Sequence, residues 1–106
     1  MIDRSNYDGK DVYIESKQRY TDCISKYGLE RFDATYCIAE SGTTGPNFYV
    51  PGVKNPFSSI SITGPNGTRS LVVNCSQSSS REECMQAFTV AAIELLHSYL
   101  IEDSKL

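Results

Sequence analysis

The sequence has one histidine, His97, no CxxC pair and no cluster of basic residues. A metal site built from imidazole and thiolate ligands therefore has little to draw on. Ten Lys and Arg stand against thirteen Asp and Glu, for a formal charge of −3, and the cations are scattered singles such as Lys17, Arg19 and Lys26. Binding to a nucleic-acid backbone needs many cations on one face, so nucleic acid is not an expected partner. No uninterrupted apolar run approaches the roughly 20 residues of a membrane span. The opening "MIDRSNYDGK" lacks the charged-then-apolar profile of an export signal. The expectation is a cytoplasmic protein with no membrane partner, no metal and no cofactor.

What remains describes one small domain. A chain of 106 residues buries roughly 65% of its unfolded surface, enough for a single core and no separate cofactor domain. The four cysteines, Cys23, Cys37, Cys75 and Cys84, are expected as buried thiols that behave as small apolar side chains, with disulfides as the alternative.

Periodicity gives the elements. From Asp8 to Tyr27 there is no proline, and Val12, Ser16, Arg19, Tyr20, Cys23, Ile24 and Tyr27 recur at helical spacing before Gly28. This predicts an amphipathic helix over about 8–27 that stops at Gly28, with Glu15, Lys17, Gln18, Asp22 and Lys26 on a solvated face. The short apolar run "DATYCIA" predicts a buried strand from Ala34 to Ala39. "FSSISIT" alternates Ile60 and Ile62 with Ser59 and Ser61, "GPNG" is turn-forming, and "TRSLVVNC" returns, so a β-hairpin is expected over about 57–75. Ser80 stands three residues before Glu83, a capping-box pattern opening a helix over about 80–102. Met85, Phe88, Ala92, Leu95, Leu96, Tyr99 and Leu100 form its apolar stripe, which is read as core, and His97 as structural or exposed. The fold class is α/β: a small mixed sheet containing the hairpin, packed by two or more helices.

The candidate chemistry lies in "AESGTTGPNFYVPG", the segment that follows the first strand. Glycines and hydroxyls at a strand's carboxyl end can turn N–H and O–H groups onto an anion. The segment has neither the lysine of a P-loop nor a GxGxxG fingerprint. No spacing pairs a base with Ser41, and Lys54 is the nearest cation downstream. Arg81, in the first turn of the last helix, is either an anion ligand or a surface cation paired with Glu82 or a neighbouring acid.

"AESGTTGP", "SSISITGPNGTRSLVV" and "SREECMQAFTVAAIELLHSYL" together resemble the second half of the CinA C-terminal domain family, the nicotinamide-nucleotide amidases, over residues 17–101. The resemblance implies that family's α/β fold and its reaction: hydrolysis of the nicotinamide mononucleotide amide to the acid and ammonia by a serine mechanism without metal. The family's nucleophile lies in an "AESCTGG" motif early in the domain, and "AESGTTG" places Ser41 in the same position. About forty residues separate Ser41 from the last helix, and Pro46 follows closely, so the segment matches the family's second, "TGIAGP"-type loop better. On that alignment Ser41 replaces a substrate-facing threonine, Gly42, Gly45 and Pro46 match, and "NFYVPG" and "KNPFSS" depart from the pattern.

The half that carries the nucleophile is then missing. The resemblance implies a truncated domain, inactive alone, with a remnant nucleotide or anion pocket at Ser41, Gly42, Thr43, Thr44, Gly45 and Arg81, and with no catalytic residue assigned. Its implied partners are a pyridine nucleotide and either a second copy or a separate chain, because the missing strands leave an open edge beside residues 34–39. Two alternatives stand beside it. One is an active amidase with Ser41 as nucleophile, which requires a Lys or Tyr within hydrogen-bond reach. The other is an assembly module that pairs with itself or with a partner.

Overall fold

The computed structural model describes residues 9–43, 55–76 and 78–104. Five elements follow one another: α1 (Gly9–Arg31), β1 (Cys37–Thr43), β2 (Phe57–Gly64), β3 (Gly67–Asn74) and α2 (Arg81–Ser104). The strands form one sheet in the order β1-β2-β3. This is the expected α/β arrangement, a small sheet with a helix on each face. Both pairings are antiparallel, with Thr43 opposite Phe57 and Gly64 opposite Gly67. The sheet is thus not mixed: each strand starts beside the end of the one before, whereas a parallel pair needs the chain to travel back along the strand's whole length.

The hairpin forms where expected, and its turn follows from its residues. Pro65 fixes φ for the first turn position, and Gly67 takes φ +97°, a conformation glycine adopts without penalty. Tyr99 of α2 holds this turn in place. Its hydroxyl accepts from the Asn66 N–H at 3.0 Å and donates to the Gly67 carbonyl at 2.9 Å.

The two faces of β2 bury different chemistry. Ile60 and Ile62 are fully buried on the side of α2, where Phe88 and Tyr99 are also buried. Burying each of these isoleucines, or Phe88, contributes roughly 1.5–3 kcal/mol. On the opposite side Ser59, Ser61 and Thr63 are buried against Thr21 and Ser25 of α1.

The hydroxyls on that side form two linked groups, each of which reaches Asp22. Ser61 gives its proton to the Asp22 carboxylate at 2.5 Å; Thr21 donates to the Gln18 carbonyl at 3.1 Å, its oxygen lies 2.8 Å from the Ser61 hydroxyl, and Ser59 donates to it at 3.1 Å. Ser25 donates to the Asp22 carbonyl at 3.0 Å, so Thr63 donates to Ser25 and Thr68 to Thr63, each at 2.8 Å. A buried hydroxyl without a partner costs about 1–3 kcal/mol. Among the described residues only Ser58 Oγ is in that position.

α1 therefore presents a different face from the one its apolar periodicity predicts. Tyr20, Ile24 and Tyr27 point outward, the last 62% exposed, while Thr21, Ser25 and Gly28 face inward. The reason is complementarity: the sheet offers α1 a row of hydroxyls, and hydroxyls satisfy them where aromatic rings cannot.

α1 also runs past Gly28 to Arg31. Gly28 does not stop it. A Cβ there would come within 2.6 Å of Cys37 Sγ, so glycine serves the close packing of α1 on β1. The helix ends instead on Asp33, at φ 51°. Ala34 N–H bonds Leu29 O at 3.0 Å and Asp33 N–H bonds Glu30 O at 3.3 Å, the paired contacts of a Schellman motif.

The first strand is Cys37–Thr43, three residues later than its apolar run suggests, because pairing with β2 carries it into the glycine-containing segment. α2 opens on the expected capping box. Ser80 N–H donates to Glu83 Oε1 and Glu83 N–H to Ser80 Oγ, each at 3.1 Å. These bonds hold the Glu83 carboxyl below its ordinary range. By length and mean hydropathy α2 is apolar enough to cross a bilayer. Here it lies along the sheet through Cys84, Phe88 and Tyr99 and leaves Met85, Val90, Ile93 and Ile101 outside.

Candidate functional site

The carboxyl end of β1 meets the first turns of α1. Tyr13, Lys17, Thr21 and Ser25 recur every four residues and so share one helix face, which is the face turned to the sheet. Ser41, opposite Ser59 in the pairing register, points to the same side. There Lys17 Nζ donates to Ser41 Oγ at 3.2 Å. The ammonium also stands 5.6 Å from the centre of the Tyr13 ring. That ring meets Phe57 edge to face, centroids 5.7 Å apart. Cation, hydroxyl and aromatic ring thus converge on a partly open spot at the strand end.

Gly42 fixes the strand here. A Cβ at Gly42 would run into the Phe57 carbonyl oxygen and come within 2.6 Å of Ser58 Cα. Glycine alone lets β1 lie against the start of β2 at this point.

The remaining expected residues separate. Thr43 is the last residue of β1, opposite Phe57. Thr44, Gly45 and Lys54 lie outside the described residues. Arg81 starts α2, on the other side of the sheet from Ser41, and is exposed. Among the described residues it forms no ion pair, with Glu82 or any other acid. Ser41 and Gly42 thus share the strand end, and Arg81 does not join them.

Two members were missed. The apolar period of α1 runs through Tyr20, Ile24 and Tyr27, which puts Lys17 on the solvated face and leaves Tyr13 without a role. The signal that finds them is the Tyr13, Lys17, Thr21, Ser25 spacing set beside the alternating hydroxyls Ser59, Ser61 and Thr63.

Chemically, the direction of the Lys17–Ser41 bond matters. With Lys17 as donor, the Ser41 proton has no acceptor among the described residues and can be given to a third group, the arrangement that holds an anion. A general base would have to accept that proton instead.

The fold and this strand-end cluster define the class: a small α/β domain with a cation-bearing polar site. No protein-family model, curated protein or solved structure matches the chain.

Proposed function

We propose that the chain is a CinA-like ligand-binding module that holds the anionic part of a pyridine nucleotide between Lys17 and Ser41 and does not hydrolyse its amide unaided. One observation carries this: Lys17 donates to Ser41 Oγ at 3.2 Å beside the Tyr13 ring, which supplies a positive charge, a hydroxyl and an aromatic surface together. Support for the family comes from the motif resemblance over residues 17–101 and agrees with the α/β arrangement. The test is titration with nicotinamide mononucleotide while ammonia is followed. Binding without ammonia release fits the proposal.

A second reading rests on the same 3.2 Å approach with the bond reversed: a neutral Lys17 accepts the Ser41 proton and Ser41 attacks the amide carbon. The C–N bond then breaks, ammonia leaves and water releases the acid. Ammonia release lost in both Ser41→Ala and Lys17→Ala would establish this reading and overturn the first.

The proposal extends to assembly with a second copy of the chain. β1 lies at one edge of the sheet, and two such edges can pair antiparallel about a two-fold axis, since an isologous contact needs only one self-complementary strand.

A further inference from the structure

α1 carries its apolar residues on the side turned away from its own sheet. Tyr20, Ile24 and Tyr27 are 56%, 41% and 62% exposed, while hydroxyls make the face that meets the strands. Ser16 and Cys23 complete the outward face, uncharged and exposed, Cys23 in place of the buried thiol expected there. Two tyrosines and an isoleucine at helical spacing, free of charge and open to water, have the composition of an interface core.

The place of this face in the fold decides what covers it. Tyr20, Ile24 and Gly28 follow at intervals of four and form one row on the helix. A Cβ at Gly28 would come within 2.6 Å of Cys37 Sγ on β1, so the row runs along the β1 side of α1. β1 is an edge of the sheet, and the exposed row therefore stands beside an open strand edge. A lipid surface would leave the N–H and C=O groups of that edge unsatisfied, and a single added strand would leave the helix row bare. A second copy of this chain brings both an edge strand and a matching helix row.

The spacing fits. α1 reaches Ser41 of β1 through Lys17 and Ser59 and Ser61 of β2 through Thr21, so it lies over the gap between those strands. When two β1 strands pair antiparallel in one sheet, the two-fold axis stands perpendicular to it and both copies of α1 fall on the same face. Two strand spacings then separate the helices, about 10 Å, which is the distance at which helices pack.

We propose that two copies of the chain join along β1 with their Tyr20, Ile24 and Tyr27 rows packed against each other, so that α1 supplies the apolar core of the interface. This rests on the edge pairing proposed above and names the surface that makes it specific.

The experiment is sedimentation of the full chain over a range of concentrations beside Ile24→Glu, Tyr27→Glu and a control, Val90→Glu, whose side chain is 54% exposed on α2. All three positions are open to solvent, and circular dichroism checks that each variant is folded. The unaltered chain and Val90→Glu should form the same dimer, and the two α1 variants should weaken it by about thirtyfold or more, the effect of losing a central anchor. A dimer that persists in both α1 variants would overturn this inference and leave edge pairing standing. Dissociation of Val90→Glu to the same extent would place the interface on α2 and overturn it too. A monomer at every concentration, including one that floats with phosphatidylcholine vesicles, would overturn both the α1 contact and the edge pairing.

Discussion

Lys17 and Ser41, twenty-four positions apart in sequence, meet at 3.2 Å where α1 crosses the end of β1. The contact exists because α1 turns its hydroxyl-bearing face to the sheet and because Gly42 lets β1 lie close on β2. Whatever Ser41 does, it does beside a positive charge.

The hydroxyl layer that orients α1 should be sensitive to a single methyl-for-hydroxyl exchange. Thr21→Val removes the link between Ser59 and Ser61 at nearly constant volume and should cost about 1–3 kcal/mol in urea unfolding. Ser58→Ala, which deletes the unpartnered buried hydroxyl, should be neutral or stabilising. Equal losses in the two variants would contradict this account of the interface.

Asp33 holds the left-handed position that ends α1, at φ 51°. A side chain there is strained and glycine is not, although glycine gives up more chain entropy on folding. Asp33→Gly should therefore raise stability by about 0.5–1 kcal/mol, read as a higher urea midpoint with unchanged slope. A fall would mean that the Asp33 side chain contributes something other than the backbone turn.

Tyr36 donates to Asp103 Oδ2 at 2.6 Å. This bond above all, then burial, the Asp103 charge and Tyr99, raises the phenol above its ordinary 10.0. A raised folded pKa means that the folded chain holds this proton more tightly than the unfolded one. Its stabilisation is full below about pH 10 and is lost as pH rises through the folded value. Urea midpoints followed across that range should fall less steeply for Tyr36→Phe than for the unaltered chain, and parallel curves would contradict the linkage.

If two β1 edges pair, sedimentation should show a concentration-dependent dimer. Ile38→Pro, which removes a β1 N–H and distorts the edge, should abolish it. Because Ile38 also pairs with Ile62, the folded state of this variant is checked by circular dichroism. A monomer at every concentration counts against self-pairing, and a heteromeric complex recovered from the native source would assign the edge to another chain.

How much of this was legible in the sequence depended on how local the cause was. The hairpin and the capping box of Ser80 and Glu83 could be read directly, since turn geometry and helix caps are decided by adjacent residues. The inward face of α1 could not, because Tyr20, Ile24 and Tyr27 carry the apolar period while the sheet selects Thr21 and Ser25. That choice depends on Ser59, Ser61 and Thr63, some forty positions away. Lys17 was lost with it. The end of α1 was misread for a related reason: Gly28 is the residue usually found at a helix terminus, yet here it makes room for Cys37, and an aspartate closes the helix.

The central claim is that Lys17 and Ser41 bind an anionic pyridine nucleotide without hydrolysing it. Calorimetric titration of nicotinamide mononucleotide into the unaltered chain, Lys17→Ala and Ser41→Ala, with ammonia assayed in the same samples, tests it most directly. Removal of a charge-assisted contact costs about 1.5–3 kcal/mol, so Lys17→Ala should weaken binding by roughly ten- to a hundredfold, Ser41→Ala less, with no ammonia formed. Equal affinity in all three proteins, or ammonia release that requires Ser41, would contradict it.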